Sequence, residues 1–149
     1  MLKKFVSSFL ALLLLVGCGA GQDAKTDPAK DAEKIVAELG LSDKMDAVQD
    51  RIVKGLFFFD EGDIEQAAVY IANDKTADVV GVFDTKDAKA AREKIDAYLA
   101  SAKEQMQNYY PDEVFKIDNA VIEEKGNRIV VIVTDNIEAA KKAAQSLLG

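Results

Sequence analysis

The chain carries no histidine and a single cysteine in 149 residues, and these two scarcities settle most of what can be excluded. Imidazole is the commonest general base near neutral pH. Its absence removes Ser-His and Cys-His nucleophilic pairs and every zinc site built on histidine. Cys18 has no partner within the chain, so no internal disulfide framework holds the fold and burial must do so. The glycine-rich motifs that cradle phosphates are missing. No basic stripe with interleaved aromatics is present, and a formal net charge of −7 repels phosphate backbones. Neither a nucleic-acid partner nor a cofactor is expected.

The apolar run Phe5 to Val16 falls short of the roughly 20 residues that a membrane-crossing helix needs. It follows Lys3 and Lys4 and closes in Leu15-Val16-Gly17-Cys18. A cationic start, a short hydrophobic stretch and a small residue read as a cleaved export signal over residues 1–17. The four closing residues resemble the bacterial lipobox, whose cysteine takes a diacylglyceryl group before the signal is removed. A reactive thiol and an intermolecular bridge are the alternatives at Cys18. The expectation is a lipoprotein of 132 residues, starting at Cys18 and held by its lipid at the outer face of the cell membrane. Two acyl chains anchor stably where one binds only marginally. Removing Lys3 and Lys4, with no acid, moves the formal charge from −7 to −9, which anionic headgroups do not attract. Residues 18–26 read as a tether reaching about 16 Å, and residues 27–149 as one domain.

Asp27-Pro28 opens a first helix, with Ala32, Ile35, Val36 and Leu39 at helical spacing and Gly40 as its stop. Ser42 is expected to cap a second, carrying Met45, Val48 and Ile52 on one face and ending at Lys54-Gly55. Ala67–Ala72 and Val79–Phe83 read as a hairpin around Asn73-Asp74-Lys75-Thr76. A long helix from Thr85 to Tyr109 follows and cannot continue past Pro111. A second hairpin, Ala120–Glu124 and Arg128–Thr134, turns at Lys125-Gly126-Asn127, and a last helix runs from Asn136 to Leu148.

The fold class expected is α+β. An N-terminal helical pair precedes β-β-α-β-β-α, with a four-stranded, mostly antiparallel sheet packed by helices. Ile129 to Val133 is apolar at every position and so belongs at the sheet centre, covered on both sides. The two strand-flanked helices are expected on one face and the N-terminal pair on the other. Asp84 and Asp87 enter the long helix as Asp135 and Glu138 enter the last, with Thr85 or Asn136 as alternative caps. Either an ancestral duplication or shared cap chemistry accounts for that match.

Few residues suggest chemistry. Asp60, Glu61, Asp63 and Glu65 cluster, but their spacing does not match a calcium loop, and a solvated acidic turn is the plainer reading. Glu123 and Glu124 point to opposite faces of a strand and form no dyad. Tyr109-Tyr110-Pro111 offers large, stiff contact area suited to recognition, or simply closes the helix stripe. Arg92 is a recognition candidate or the partner of Asp96 four residues on. Phe57-Phe58-Phe59 reads as core, with Phe58 dipping into a membrane as the alternative. The candidate interaction surface is therefore Tyr109, Tyr110, Arg92 and Phe58.

Several segments carry a family resemblance. They are Asp63-Ile64-Glu65, Ala77-Asp78-Val79-Val80, Arg92, Tyr110-Pro111-Asp112-Glu113-Val114, Ile117-Asp118-Asn119-Ala120-Val121 and Lys125-Gly126-Asn127. From about Asp27 to Leu148 the chain resembles a family of small bacterial lipoproteins, domain of unknown function 4358. Position 78 departs from it, with Asp where Glu is expected. The resemblance implies an anchored α+β domain in mostly Gram-positive hosts, and no activity. The function expected is a non-catalytic recognition domain with an envelope protein or peptide partner. The alternative is a small-solute or cation-binding lipoprotein serving a transporter, and a carboxylate- or lysine-based hydrolase ranks last.

Overall fold

The computed structural model of the protein describes residues 26–149. The expected signal, Cys18 and all of the tether except Thr26 lie outside the described residues. The elements are α1 (Pro28–Glu38), β1 (Met45–Ala47), α2 (Asp50–Leu56), β2 (Ile64–Ala72), β3 (Val79–Thr85) and α3 (Ala88–Tyr109). A 3-10 turn, Pro111–Glu113, then leads into α4 (Val114–Asp118), β4 (Val121–Lys125), β5 (Arg128–Val133) and α5 (Ile137–Leu148). Among the described residues no helix is long and apolar enough to cross a membrane.

The fold is α+β, but the sheet has five strands, not four. Their order is β1-β2-β3-β5-β4, and every pairing is antiparallel. The extra strand replaces the front of the expected second helix, so the N-terminal helical pair is also corrected. Met45 pairs with Ala72 and Ala47 with Tyr70, and a helix starts only at Asp50. The spacing Met45, Val48, Ile52 imitates one helix face, yet the chain uses it to cross the sheet edge. Met45 packs with Ile35 and Val80 on one side of the sheet, and Val48 with Val53 and Val69 on the other. Ile52, the third member of the pattern, is exposed.

β5 sits where its composition demands. Ile129, Val131 and Val133 face α2, α3 and α4, while Val130 and Ile132 face α1 and α5, and all five are buried. The expected grouping of helices is thus exchanged, because α3 and α5 lie on opposite faces of the sheet. A two-fold axis relating the antiparallel neighbours β3 and β5 would put both helices on one face. The expected match of helix starts is also corrected: Asp84 and Thr85 stay in β3, with Asp84 bound to Arg128, so α3 begins at Ala88 rather than Thr85 and the caps are Asp87 and Asn136. Asp87 accepts from the Ala90 amide at the start of α3, and Asn136 accepts from that of Ala139 at the start of α5.

The two layers are built differently. Between the sheet and the α1–α5 layer, Ala32, Ala140, Ala143 and Ala144 allow close approach. Arg128 staples that side: its guanidinium donates to both oxygens of Asp84, at 2.7 and 3.1 Å, and to Asp31 of α1 at 2.6 Å. The Thr26 hydroxyl also donates to Asp84. Burial raises the pKa of the Asp84 carboxyl, but its bonds from Arg128 and Thr26 outweigh that and leave it below 3.8. The opposite layer is aromatic. Phe57 stacks on Phe59 at 5.6 Å, meets Phe83 edge-on at 5.0 Å and lies tilted against Tyr98 at 4.2 Å. Gly81 makes room for that cluster, since a Cβ there would lie 2.6 Å from the Phe83 ring.

Candidate functional site

The end of α2 is where the chain departs from structural economy. Gly55, Lys54 and the phenylalanines close the helix by a Schellman motif: the Phe59 amide donates to Lys54 O at 2.9 Å and the Phe58 amide to Gly55 O at 3.3 Å. The residue between them must be left-handed, and Phe58 is, at φ 59. Glycine takes that conformation freely, whereas a side chain there costs about 1–2 kcal/mol. Phe58 recovers little of that by burial. Its neighbours Phe57 and Phe59 enter the core, while Phe58 is 56% exposed.

Phe58 stands at the rim of a cavity of about 420 Å³ between α2, β3 and the second half of α3. Leu56, Ile71, Tyr98, Met106 and Ile117 supply most of its wall, with Thr76, Asp78, Ser101 and Gln105 as polar points. Tyr98 is partly buried against the aromatic cluster, and that burial pushes its phenol pKa up to about 12. At the α4 end, Lys116 lies 3.0 Å from Asp78 and 2.9 Å from Glu113. Glu113 also accepts from the Ala77 amide at 2.8 Å, which ties the turn after α3 to the start of β3. Burial lowers the Lys116 pKa, yet the hydrogen bonds and charges of Glu113 and Asp78 outweigh it and raise the value above 10.5. This lysine is fixed as an ammonium and is unsuited to act as base or nucleophile.

A second, shallower depression of about 660 Å³ continues from the cavity across Thr76, which lines both. Tyr109, Tyr110 and Pro111 form one wall and Asp74, Lys75, Asp112 and Glu113 the other parts. Tyr109 is 76% exposed, and the Lys75 ammonium sits 5.9 Å from the centroid of the Tyr110 ring.

A protein-family model described as a domain of unknown function (DUF4358) matches residues 37–134. The chain belongs to that family. No curated protein matches it, and no solved structure does. The DUF4358 match runs from the end of α1 to just past β5, so it includes every wall of both depressions and leaves out α5.

Within this DUF4358 domain the four candidate surface residues divide. Phe58 belongs to the cavity rim, and Tyr109 and Tyr110 to the adjoining groove. Arg92 lies 17 residues earlier on α3 than Tyr109, about 25 Å along the helix. Its guanidinium donates to Asp96 at 3.0 Å and to Glu124 of β4 at 2.7 Å, clamping helix to sheet. The acidic turn is likewise occupied: Lys94 reaches Asp60 and Asp63, each at 2.6 Å. Hydrogen bonds from Lys94 and from the Asp60 amide lower the Asp63 pKa. Among the described residues no group of three or more His, Cys, Asp or Glu is placed to hold a metal ion.

Sequence reasoning missed the cavity and its salt-bridged end. Ala77-Asp78 and Tyr110 to Val114 both carry the family resemblance, and the fold brings these two segments together. Nothing in their composition announces that meeting, because 36 residues and the whole of α3 separate Ala77 from Glu113.

Proposed function

We propose that the protein is an exported lipoprotein, anchored through a diacylglyceryl group on Cys18, whose domain is a non-catalytic recognition module at the outer face of the cell membrane. The anchor rests on the sequence: Lys3-Lys4, the short apolar run and Leu15-Val16-Gly17-Cys18. The recognition role rests on one observation, an exposed and conformationally strained Phe58 at the rim of an apolar cavity. Strain retained at a surface aromatic has no structural return, and apolar concavities with a few polar points are the usual form of binding sites. The charged groups at the cavity favour binding over catalysis. Lys116 is locked as an ammonium between two carboxylates, and the Tyr98 phenol, raised to about 12, does not ionise near neutrality.

The experiment joins both halves. Crosslinking and pull-down from native membranes with the full chain is expected to recover an envelope protein or peptide, and Phe58→Ser to reduce its yield severalfold. Cys18→Ser is expected to release the chain from the membrane or leave its signal uncleaved. Normal acylation and fractionation of that variant would defeat the anchor.

A second reading, a small-solute binder serving a transporter, is favoured by the cavity volume alone, which falls within the roughly 300–1,000 Å³ of small-ligand sites. Thermal stabilisation by a metabolite, with no protein recovered by crosslinking, would replace the first reading by the second.

A further inference from the structure

We propose that the cavity and the tyrosine groove form one elongated site for a peptide segment that carries a bulky apolar side chain one or two positions from lysine or arginine. This rests on the recognition reading above and goes further by naming the ligand chemistry. The two depressions are continuous. Thr76 lines both depressions, and on α3 Met106 faces the cavity one helical turn, about 5 Å of rise, before Tyr109 and Tyr110. Neighbouring residues of an extended chain are spaced at about 3.4 Å per position, so one or two positions bridge the two halves.

The groove is also acidic. Four carboxylates, Asp74, Asp78, Asp112 and Glu113, border the groove and the adjoining cavity end, against the ammonium groups of Lys75 and Lys116. Lys116 is already committed to Asp78 and Glu113. Asp74 accepts from the Thr76 amide and hydroxyl at 2.9 and 2.7 Å but keeps its charge. Asp74 and Asp112 therefore stand against the one remaining ammonium among the described residues of the groove, Lys75. An excess of negative charge beside exposed tyrosine faces suits a cation. Lys75 itself marks where a cation sits. Its ammonium already lies over the Tyr110 ring, occupying the position that an incoming lysine or arginine would take. Lys75 is exposed on the β2–β3 turn and is free to swing aside. The same acidity disfavours an anionic membrane as the occupant.

The test uses the full chain in phosphatidylcholine nanodiscs and four nonapeptides of Gly and Ser, centred on Phe-Lys-Lys, Phe-Glu-Glu, Ser-Lys-Lys or Ser-Glu-Glu. Calorimetric titration is expected to show Phe-Lys-Lys binding about tenfold tighter than any other. Tyr110→Ala is expected to weaken it about two- to fivefold, and Lys75→Ala to tighten it by a similar factor, because an internal competitor is removed. Ala102→Phe, which fills the cavity, is expected to abolish binding, with melting as the check on folding and Ala102→Leu as the milder variant. Equal affinity for Phe-Lys-Lys and Phe-Glu-Glu, lost in the filled variant, overturns the basic ligand and leaves the recognition module standing. Silence from all four peptides overturns the peptide class. If the fluorescence of a Phe58→Trp variant then shows the ring inserted in the nanodisc bilayer, the membrane is the occupant and the recognition reading falls with it.

Discussion

Helices α1 and α2 end in the same hydrogen-bond pattern with opposite residues at the critical place. After α1, the Leu41 amide donates to Val36 O at 2.9 Å and the Gly40 amide to Ala37 O at 3.0 Å, with Gly40 at φ 68. After α2 the pattern repeats with Phe58 in the glycine position. Both turns then bury the next residue, Leu41 in one and Phe59 in the other. The backbone requirement is identical, so the difference lies in what the side chain is for. Gly40 closes a helix against a tightly packed layer of alanines. Phe58 closes one beside an open cavity, where an exposed ring has something to meet. The comparison extends to the two layers: one is stapled and filled, the other aromatic and concave.

The largest expected effect is on the filled layer. Ala144→Leu places three extra carbons in the fully buried α5 interface and is expected to lower stability by about 2–3 kcal/mol. Ala102→Leu, at the cavity wall, is expected to be neutral or mildly stabilising. Chemical denaturation of both variants gives the answer, and equal losses would erase the contrast between the layers.

Next comes the staple. Arg128→Met leaves Asp31 and Asp84 without their counter-ion, and a loss of about 2 kcal/mol is expected, less than for fully buried pairs. The same contact responds to acid. The Asp84 pKa is depressed in the folded state, so its contribution is complete above 3.8 and disappears as pH falls through the folded value. Hydrogen exchange followed below pH 4 is expected to show α1 losing protection before α2 does.

Exchanging the two helix ends is a smaller but more direct probe. Phe58→Gly is expected to raise stability by about 1 kcal/mol, or about 3–5 °C in Tm, and Gly40→Phe to lower it by a similar amount. Loss of stability in Phe58→Gly would mean that the ring supports the fold after all.

The smallest effect is spectroscopic. Of the four tyrosines, Tyr98 is expected to deprotonate only near pH 12 in an ultraviolet titration of the folded protein. Its burial contributes stability below pH 10.0 that is lost as pH rises through the folded value. Normal ionisation of all four would mean that the aromatic layer is looser than its stacking suggests.

Sequence reading recovered the elements whose pattern has one explanation. Ile129 to Val133 could only be a central strand, Asp27-Pro28 could only open a helix, and Lys125-Gly126-Asn127 turned the hairpin as expected, with Gly126 at φ 57. It misread Met45, Val48 and Ile52 because a helix face and a chain crossing a sheet edge produce the same intervals. It misplaced α5 because nothing local to α3 or α5 states which face the chain turns to after β3 and β5. For the site, the exposed Tyr109 and Tyr110 were visible at a helix end, and Phe58 was visible as part of an aromatic run. Its left-handed backbone was not, since glycine is the residue that advertises that conformation. The Asp78–Lys116–Glu113 cluster exists only through tertiary contact and left no local trace.

The layer in which α1 touches α5 joins the first and last helices of the described domain. The part of that layer over β4 and β5 is therefore closed by the last described helix, Ile137–Leu148. Helix α1 covers β2 and β3 on that face, whereas Val121, Val130 and Ile132 of β4 and β5 rely on α5 for their cover. A break in the chain before Ile137 would therefore remove core packing rather than an appendage.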